Sequence, residues 1–188
     1  MINEFRILSR AEYRTDYRDH IIATLGPSGT SSEFVARQLS ERVMLLGNYE
    51  MAEAFIHDTD ENALLLVANA YQYINRFYIS QRTGPIGAFF CDTPPYVLAS
   101  KNKCVQDMPD RPRISSHRAP AHLLEQILPD AAFTLVEADS TSAAARMTAE
   151  STVDACITTK IACEKEGLTA LYDTGVIPML WTLFARKA

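Results

Sequence analysis

The chain has 188 residues, of which 47% are hydrophobic, and carries a formal net charge of −5 at pH 7. This apolar content is ample for the core of one large domain or two small lobes. No apolar run approaches the length of a membrane span, the charged first twenty residues do not resemble a signal peptide, and no basic cluster suits nucleic acid. We therefore expect a folded cytoplasmic protein that binds neither nucleic acid nor membrane.

Strand-like and helix-like segments alternate along the first half of the chain, which is typical of an α/β fold. The pattern predicts strands at Ile21–Leu25 and Ala63–Ala68 and helices at 31–43 and, after Asn48, at 49–57. Extended segments at 85–90 and 96–99 flank Pro94 and Pro95. Because consecutive prolines cannot continue the ladder of a central strand, we expect the chain to cross to a second lobe there.

The second half of the chain continues the alternation. It predicts strands at 113–115, 132–137 and 153–158, helices at 119–128, 141–151 and 160–166, and a last extended run at 179–186 that returns to the first lobe. We expect residues 1–94 with 172–188 to form one lobe and residues 95–171 the other. Ligands of open α/β sheets bind where helix starts converge, so we expect a ligand cleft between the lobes.

The turn Leu25-Gly-Pro-Ser-Gly-Thr-Ser-Ser-Glu33 is the most informative segment of the chain. Gly26 and Gly29 allow a sharp turn, and Thr30 with Glu33 fits a capping box at the start of the following helix. The remaining N–H groups and the helix dipole favour an anion at this position. A well-capped turn without a ligand has the same pattern.

Hydroxyl-bearing residues recur at three other predicted strand ends: Ser115-Ser116-His117, Asp139-Ser140-Thr141-Ser142 and Thr158-Thr159. Several helix starts would then suit a small ligand with more than one carboxylate, although serine and threonine are also the ordinary N-cap residues. The four cysteines lack CxxC spacing, so free thiols are expected rather than a zinc site. No dinucleotide fingerprint is present, and we expect neither a metal nor another cofactor.

These segments resemble the prephenate dehydratase catalytic domains. Residues 25–33 are similar to that family's Gly-Pro-x-Gly-Thr-x-Ser-Glu opening, Ser116-His117 to its Ser-His, Ser140-Thr141 to its Ser-Thr helix start, and Thr182-x-Phe184 to its terminal Thr-Arg-Phe. The resemblance implies two α/β lobes, like those of type 2 periplasmic binding proteins, with prephenate between them. Because the sequence ends at Ala188, we expect no regulatory (ACT) domain.

Two departures separate the chain from the dehydratases. Ala68-Asn69-Ala70-Tyr71 stands where they are expected to carry Pro-x-Glu-Asn-Ser, and Leu183 stands where they have the arginine of Thr-Arg-Phe. A closer resemblance is to the non-aromatising prephenate decarboxylases of the bacilysin pathway and of other peptide natural-product pathways. It is carried by residues 24–27 and 29–33, by 91–94 with Tyr96, and by 177–187. Those relatives are expected to have glutamate where this chain has Ser28, and serine where it has Thr182.

The resemblance implies a carbon–carbon lyase that decarboxylates prephenate, retains its ring hydroxyl, and yields a dihydro-4-hydroxyphenylpyruvate for antibiotic biosynthesis. Expelling hydroxide calls for an acid or strong donor beside it, and Leu183 is expected to remove charge from that region while Thr182 still holds the hydroxyl. The alternatives are a prephenate dehydratase that gives phenylpyruvate and a non-catalytic binding protein for a small dicarboxylate.

Candidate roles follow for individual residues. Thr182 and His117 are the expected catalytic residues, although a histidine after a strand is also an ordinary helix-start hydrogen bonder. Arg76 and Arg118 are either carboxylate partners or solvated. The expected substrate contacts are Thr30, Ser31, Ser32, Asn69, Tyr71, Asp92, Thr93, Ser116, Ser140, Thr141, Thr158 and Trp181. For Asp92 and Thr93 the alternative to substrate contact is a turn set by the two prolines, and for Trp181 it is packing in the core. Homodimerisation is compatible with the expected fold.

Overall fold

The structure is a computed structural model that describes residues 6–187. The chain divides into two compact units, the first formed by residues up to Thr93 and from Pro178 onward and the second by Pro94–Ile177. Residues 1–5 and Ala188 of the predicted first lobe lie outside the described residues. Within 6–187, every helix is too short or too polar to cross a membrane.

The first unit is built on a six-stranded sheet with the strand order β1-β5-β11-β4-β2-β3. Elements are numbered in chain order. The strands are β1 (Arg6–Ile7), β2 (Ile21–Leu25), β3 (Val43–Leu46), β4 (Ala63–Ala68), β5 (Thr83–Thr93) and β11 (Ile177–Arg186), and the helices are α1 (Arg10–Thr15), α2 (Ser31–Leu39), α3 (Tyr49–Asp58) and α4 (Asn75–Tyr78). Strands β2, β3 and β4 are parallel, whereas β11 is antiparallel to β4.

Two apolar clusters cover the two faces of this sheet. One cluster contains Val35 and Leu39 of α2 together with Trp181 and Leu183 of β11. The other contains side chains of α3 and Phe184. Alternate residues of β11 therefore point to opposite faces, as the period of a strand requires.

The second unit is built on a five-stranded sheet with the order β10-β6-β9-β7-β8. Its strands are β6 (Tyr96–Ser100), β7 (Arg113–Ser116), β8 (Thr134–Glu137), β9 (Ala155–Thr159) and β10 (Thr169–Asp173), and its helices are α5 (Leu123–Ile127), α6 (Thr141–Ala149) and α7 (Lys160–Lys165), with a 3-10 turn at Val105–Asp107. Strands β7, β8 and β9 are parallel, so their carboxyl ends share one edge. Residues 172–177 lie in this unit, where Tyr172 and Asp173 pair with Leu98 and Val97.

The predicted α/β class is confirmed, and several element boundaries are corrected. The helix predicted at 31–43 ends at Leu39, because Val43–Leu46 pairs with β2 as an edge strand. The helix predicted at 119–128 is reduced to Leu123–Ile127, because the N–H groups of Ala121, Leu123 and Leu124 bond to carbonyls three residues earlier and form turns instead of α-helix. The extended run before the two prolines continues to Thr93 rather than stopping at residue 90.

Candidate functional site

Polar residues of the first unit gather at the edge formed by the carboxyl ends of β2 and β4. These two strands are parallel. Because β11 runs antiparallel to β4, with Trp181 opposite Ala68 and Thr182 opposite Val67, the early part of β11 lies at the same edge. We call this region, formed by residues 26–33, 69–71, 76–78 and 182, the polar edge of the first unit.

In the turn after β2, the backbone at Gly26 packs closely against β3, and the backbone at Gly29 takes a conformation that favours glycine. The Gly26 N–H donates to Leu46 O at 2.7 Å, and a Cβ on Gly26 would lie only 3.2 Å from Leu45 Cβ. Gly29 has a φ of +92°, a region that side chains disfavour. A side chain at position 26 would crowd Leu45, and one at position 29 would strain the backbone, so glycine is favoured at both positions between β2 and α2.

Thr30 and Glu33 cap α2 as expected, with one difference. The Thr30 hydroxyl accepts from the Glu33 N–H at 3.3 Å and donates to Leu25 O at 3.2 Å. The Glu33 carboxylate accepts from the N–H of Gly29, one residue before the N-cap, and from the Ser28 hydroxyl. Burial opposes ionisation, but these donors and Arg37 outweigh it and hold the pKa of Glu33 below its usual range.

Ser31 and Ser32 in the first turn of α2 have different surroundings. The Ser32 hydroxyl lies 3.0 Å from the Tyr49 hydroxyl, which also accepts from the Ala68 N–H at 3.4 Å. Tyr49 thus links the starts of α2 and α3 to the end of β4. The Ser31 hydroxyl is buried and has no hydrogen-bond partner among the described residues, so its donor capacity is unsatisfied by the protein.

Thr182, Asn69 and Tyr78 form a closed set of hydrogen bonds. The Thr182 hydroxyl donates to Asn69 Oδ1 at 2.8 Å and lies 2.8 Å from the Tyr78 hydroxyl. The Asn69 Nδ2 group donates to the Tyr78 hydroxyl at 3.3 Å. Thr182 is 0% exposed, whereas Tyr78 is 36% exposed. We call these residues the Asn69–Tyr78–Thr182 ring.

Tyr71, two residues after Asn69, is held by a charged pair. Its hydroxyl donates to Glu50 Oε1 at 2.8 Å, and Arg76 donates to the same oxygen at 2.6 Å. Burial, followed by the hydrogen bond to Glu50, raises the pKa of Tyr71 to about 12. The phenol of Tyr71 is therefore protonated and already committed to Glu50, and Arg76 pairs with a protein carboxylate.

Leu183 and Trp181 lie on the opposite face of the sheet from the Thr182 hydroxyl. Leu183 is 0% exposed and packs in the cluster on the α2 face. The expectation that Leu183 changes the charge next to the Thr182 hydroxyl is therefore wrong, because consecutive strand residues point to opposite faces. Trp181 is buried in the same cluster and donates from Nε1 to Cys91 O at 3.3 Å, which favours the core-packing alternative.

The second unit has a comparable edge at the carboxyl ends of β7 and β9. The Ser116 hydroxyl donates to His117 O and the Thr158 hydroxyl donates to Thr141 O, both at 2.8 Å. The Ser140 hydroxyl instead accepts from the Ala143 N–H at 3.0 Å, which leaves its proton available. Thr141, the first residue of α6, is buried.

Ser142 in the first turn of α6 parallels Ser31 of α2. Its hydroxyl is buried and unpartnered among residues 6–187. Each unit therefore places a serine donor without a protein acceptor at the start of a nine-residue helix, where the helix dipole also favours an anion.

His117 follows β7 and accepts at Nδ1 from the Ala119 N–H at 3.3 Å. Burial lowers its pKa, although the nearby Glu137 and Asp139 oppose that shift. The imidazole is therefore biased towards its neutral form, which suits a hydrogen-bonding group better than a reservoir of protons.

The remaining candidates lie at the end of β5 and on the surface. Asp92 is exposed and Thr93 is 2% exposed immediately before the two prolines, and Arg118 is exposed. All four cysteines are free thiols. Among the described residues, no group of three or more His, Cys, Asp or Glu side chains is placed to hold a metal ion.

Tyr49, Tyr78 and Ser142 are site residues that the sequence pattern does not single out. Tyr49 is the first residue of α3, directly after the Asn48 N-cap, and this position at a helix start is a signal that the sequence contains. Ser142 belongs to a segment that was recognised as a helix start. Tyr78 had no local signal, because α4 is a single turn without a side-chain cap.

Comparisons with known proteins agree with this architecture, although no protein-family model matches the chain. The chain is 35% identical over 188 residues to the prephenate decarboxylase of Bacillus subtilis (strain 168), a match covering 92% of this chain and 91% of that protein. The prephenate dehydratase of Arthrobacter aurescens in complex with L-Phe aligns with a TM-score of 0.69 at 18% identity, covering 89% of this chain and 61% of that one.

A putative methionine-binding lipoprotein from Bacillus subtilis (subsp. subtilis strain 168) aligns with a TM-score of 0.55 at 15% identity, over 93% of this chain and 85% of that one. At such identities the two solved structures establish the fold alone, and they confirm the predicted likeness to dehydratase catalytic domains and binding-protein folds. The decarboxylase identity extends over nearly the whole chain. This protein belongs to the prephenate decarboxylase family.

Proposed function

We propose that this protein decarboxylates prephenate without aromatising it, so that the ring hydroxyl is retained in a dihydro-4-hydroxyphenylpyruvate product. The observation that carries the proposal is the 35% identity to a prephenate decarboxylase over 92% of the chain. Retention of the hydroxyl is supported by the polar edge of the first unit. There the two partners of the Thr182 hydroxyl are the Asn69 carboxamide and the Tyr78 phenol, rather than a cationic side chain that would stabilise a departing hydroxide.

The proposed step balances with one proton and no redox change. The bond between the ring carbon and its carboxylate breaks, and CO2 leaves. The electron pair of that bond forms a new ring double bond, while the displaced diene pair takes a proton at a ring carbon. The carbon–oxygen bond of the hydroxyl stays intact, so no water is lost.

The helix starts supply candidate anion sites in each unit. In the first unit we assign carboxylate binding to the α2 start, through its free N–H groups and the unpartnered Ser31 hydroxyl. Thr30 and Ser32 hold this start in place, since their hydroxyls already contact Leu25 and Tyr49. We assign Asn69 and Tyr71 to contacts with the cyclohexadiene ring of prephenate.

In the second unit we assign carboxylate or keto-oxygen binding to the α6 start. Ser140 and Ser142 each retain a hydroxyl proton for an anion, and Thr141 lies between them. Ser116 and Thr158 have given their protons to backbone carbonyls, so we assign them a supporting role. His117, biased towards its neutral form, is assigned as a hydrogen-bond partner.

The cellular location and the pathway that uses the product are part of the same proposal. Following the resemblance, we propose a cytoplasmic enzyme whose product enters the biosynthesis of a peptide natural product. Roles for Asp92 and Thr93, homodimerisation and a cleft between the two lobes stay predictions.

The proposed activity is tested by incubating the purified protein with prephenate and identifying the product by mass and ultraviolet absorbance. An enzyme-free sample and an acid-treated sample are the controls, the second supplying the aromatised product. A product that has lost CO2 and kept its water is expected. Phenylpyruvate would instead identify a dehydratase, and binding without turnover would identify a binding protein.

A further inference from the structure

In the Asn69–Tyr78–Thr182 ring, each of the two hydroxyl groups donates its one proton to another member of the ring. With the Asn69 amide oriented so that Thr182 gives its single hydroxyl proton to Asn69 Oδ1, Tyr78 donates in the 2.8 Å contact with Thr182. The Tyr78 hydroxyl in turn accepts from Asn69 Nδ2. If the carboxamide is turned over, the same ring closes in the opposite sense, and each hydroxyl still donates once.

The members of the ring differ in their access to a ligand. Thr182 is fully buried and Asn69 is partly buried, whereas Tyr78 is 36% exposed. A substrate at the polar edge of the first unit therefore reaches the ring through Tyr78. The neighbouring phenol of Tyr71 has its proton committed to Glu50.

We infer that Tyr78 is the acid that protonates the ring diene of prephenate during decarboxylation, an inference that rests on the proposed function. The Tyr78 O–H bond breaks and its proton forms a C–H bond at the diene terminus, as the carboxylate leaves as CO2. The phenolate that remains recovers its proton from water after product release.

The Asn69–Tyr78–Thr182 ring is arranged to stabilise the Tyr78 phenolate. When Tyr78 turns its proton towards the substrate, the Thr182 hydroxyl can rotate its own proton from Asn69 Oδ1 to the Tyr78 oxygen, 2.8 Å away. Asn69 Nδ2 already donates to the same oxygen. The phenolate then accepts two hydrogen bonds, and hydrogen bonds to an ionised oxygen are stronger than those to a neutral one. Thr182 and Asn69 are therefore positioning residues for Tyr78.

The test compares Tyr78→Phe with wild type, because this substitution removes only the hydroxyl. Tyr73→Phe is the matched control, since Tyr73 is 57% exposed on the same segment and does not belong to the Asn69–Tyr78–Thr182 ring. Each protein is incubated with prephenate in D2O. The rate of CO2 release, the KM and the face of the ring that receives deuterium are measured, and thermal unfolding checks that the variants are folded.

General acids contribute about 100-fold or more to rate, so kcat of Tyr78→Phe should fall by at least that factor with little change in KM. Its residual product should carry deuterium on both faces of the ring, whereas wild type and Tyr73→Phe deuterate one face. Near-normal kcat in Tyr78→Phe, or slow turnover that still deuterates a single face, would assign the proton to another group. Failure of wild type to release CO2, or release of CO2 with phenylpyruvate as the product, would refute the proposed function itself and, with it, this inference.

Discussion

Replacing Thr182 by valine or by serine separates the hydroxyl of this residue from its packing. Valine keeps the shape of the side chain but removes both contacts of the Asn69–Tyr78–Thr182 ring that involve Thr182. Serine keeps the hydroxyl and removes one methyl group from a position that is 0% exposed. The two variants therefore remove different physical interactions at one site.

The expected magnitudes follow from these contacts. A hydrogen bond to an ionised group is worth about 2 kcal/mol, so losing the Thr182 donor to the Tyr78 phenolate should lower kcat of Thr182→Val by roughly 30-fold. Thr182→Ser keeps that donor and should stay within about threefold of wild type. Loss of a buried methyl costs about 1 kcal/mol, which lowers the Tm by about 2–4 °C in a chain of this length.

The assay measures kcat from CO2 release at saturating prephenate and the Tm from thermal unfolding for both variants. Valine should be the less active protein, and serine should be destabilised with activity preserved. Equal kcat values for Thr182→Val and Thr182→Ser, with both folded, would refute the role given to the hydroxyl.

Three further changes test other parts of the account. Leu183→Arg places a charge among apolar side chains and should cost several kcal/mol of stability, visible as a large fall in Tm; a variant as stable as wild type would contradict the position of Leu183. Burial lowers the pKa of His117 below 6.5, so the unfolded chain binds its proton more readily and stability falls as the pH drops through 6.5; His117→Asn should reduce that fall in Tm between neutral and mildly acidic buffer, and an unchanged pH dependence would argue against the shift. Burial raises the pKa of Cys156 to about 12 and also raises that of Cys163, so a thiol reagent should modify exposed Cys104 in the native protein and these two only after unfolding; rapid native labelling of either would be inconsistent with their burial.

Features decided by neighbouring residues were predictable from the sequence. The α2 start depends on Thr30 and Glu33, three residues apart, and both contribute to the cap. The apolar run at Ala63–Ala68 is a central strand with neighbours on both sides. In each case the decisive interactions are encoded within one turn or one strand.

Features decided by distant contacts were not predictable in the same way. Tyr78 meets Thr182 across 104 positions of the chain, and the short helix that carries Tyr78 has no cap or period to reveal it. The expected effect of Leu183 on Thr182 fails for a different reason, because adjacency in the sequence of a strand does not bring two side chains together. Strand alternation places the two side chains on opposite faces.

The most direct test of the central claim follows prephenate whose ring hydroxyl carries a heavy oxygen isotope through a reaction in D2O. The product is then returned to ordinary water, so that the exchangeable pyruvyl positions lose their deuterium, and its mass is measured. The account predicts loss of CO2, retention of the heavy oxygen and one deuterium fixed on a ring carbon. Phenylpyruvate without the heavy oxygen would contradict it.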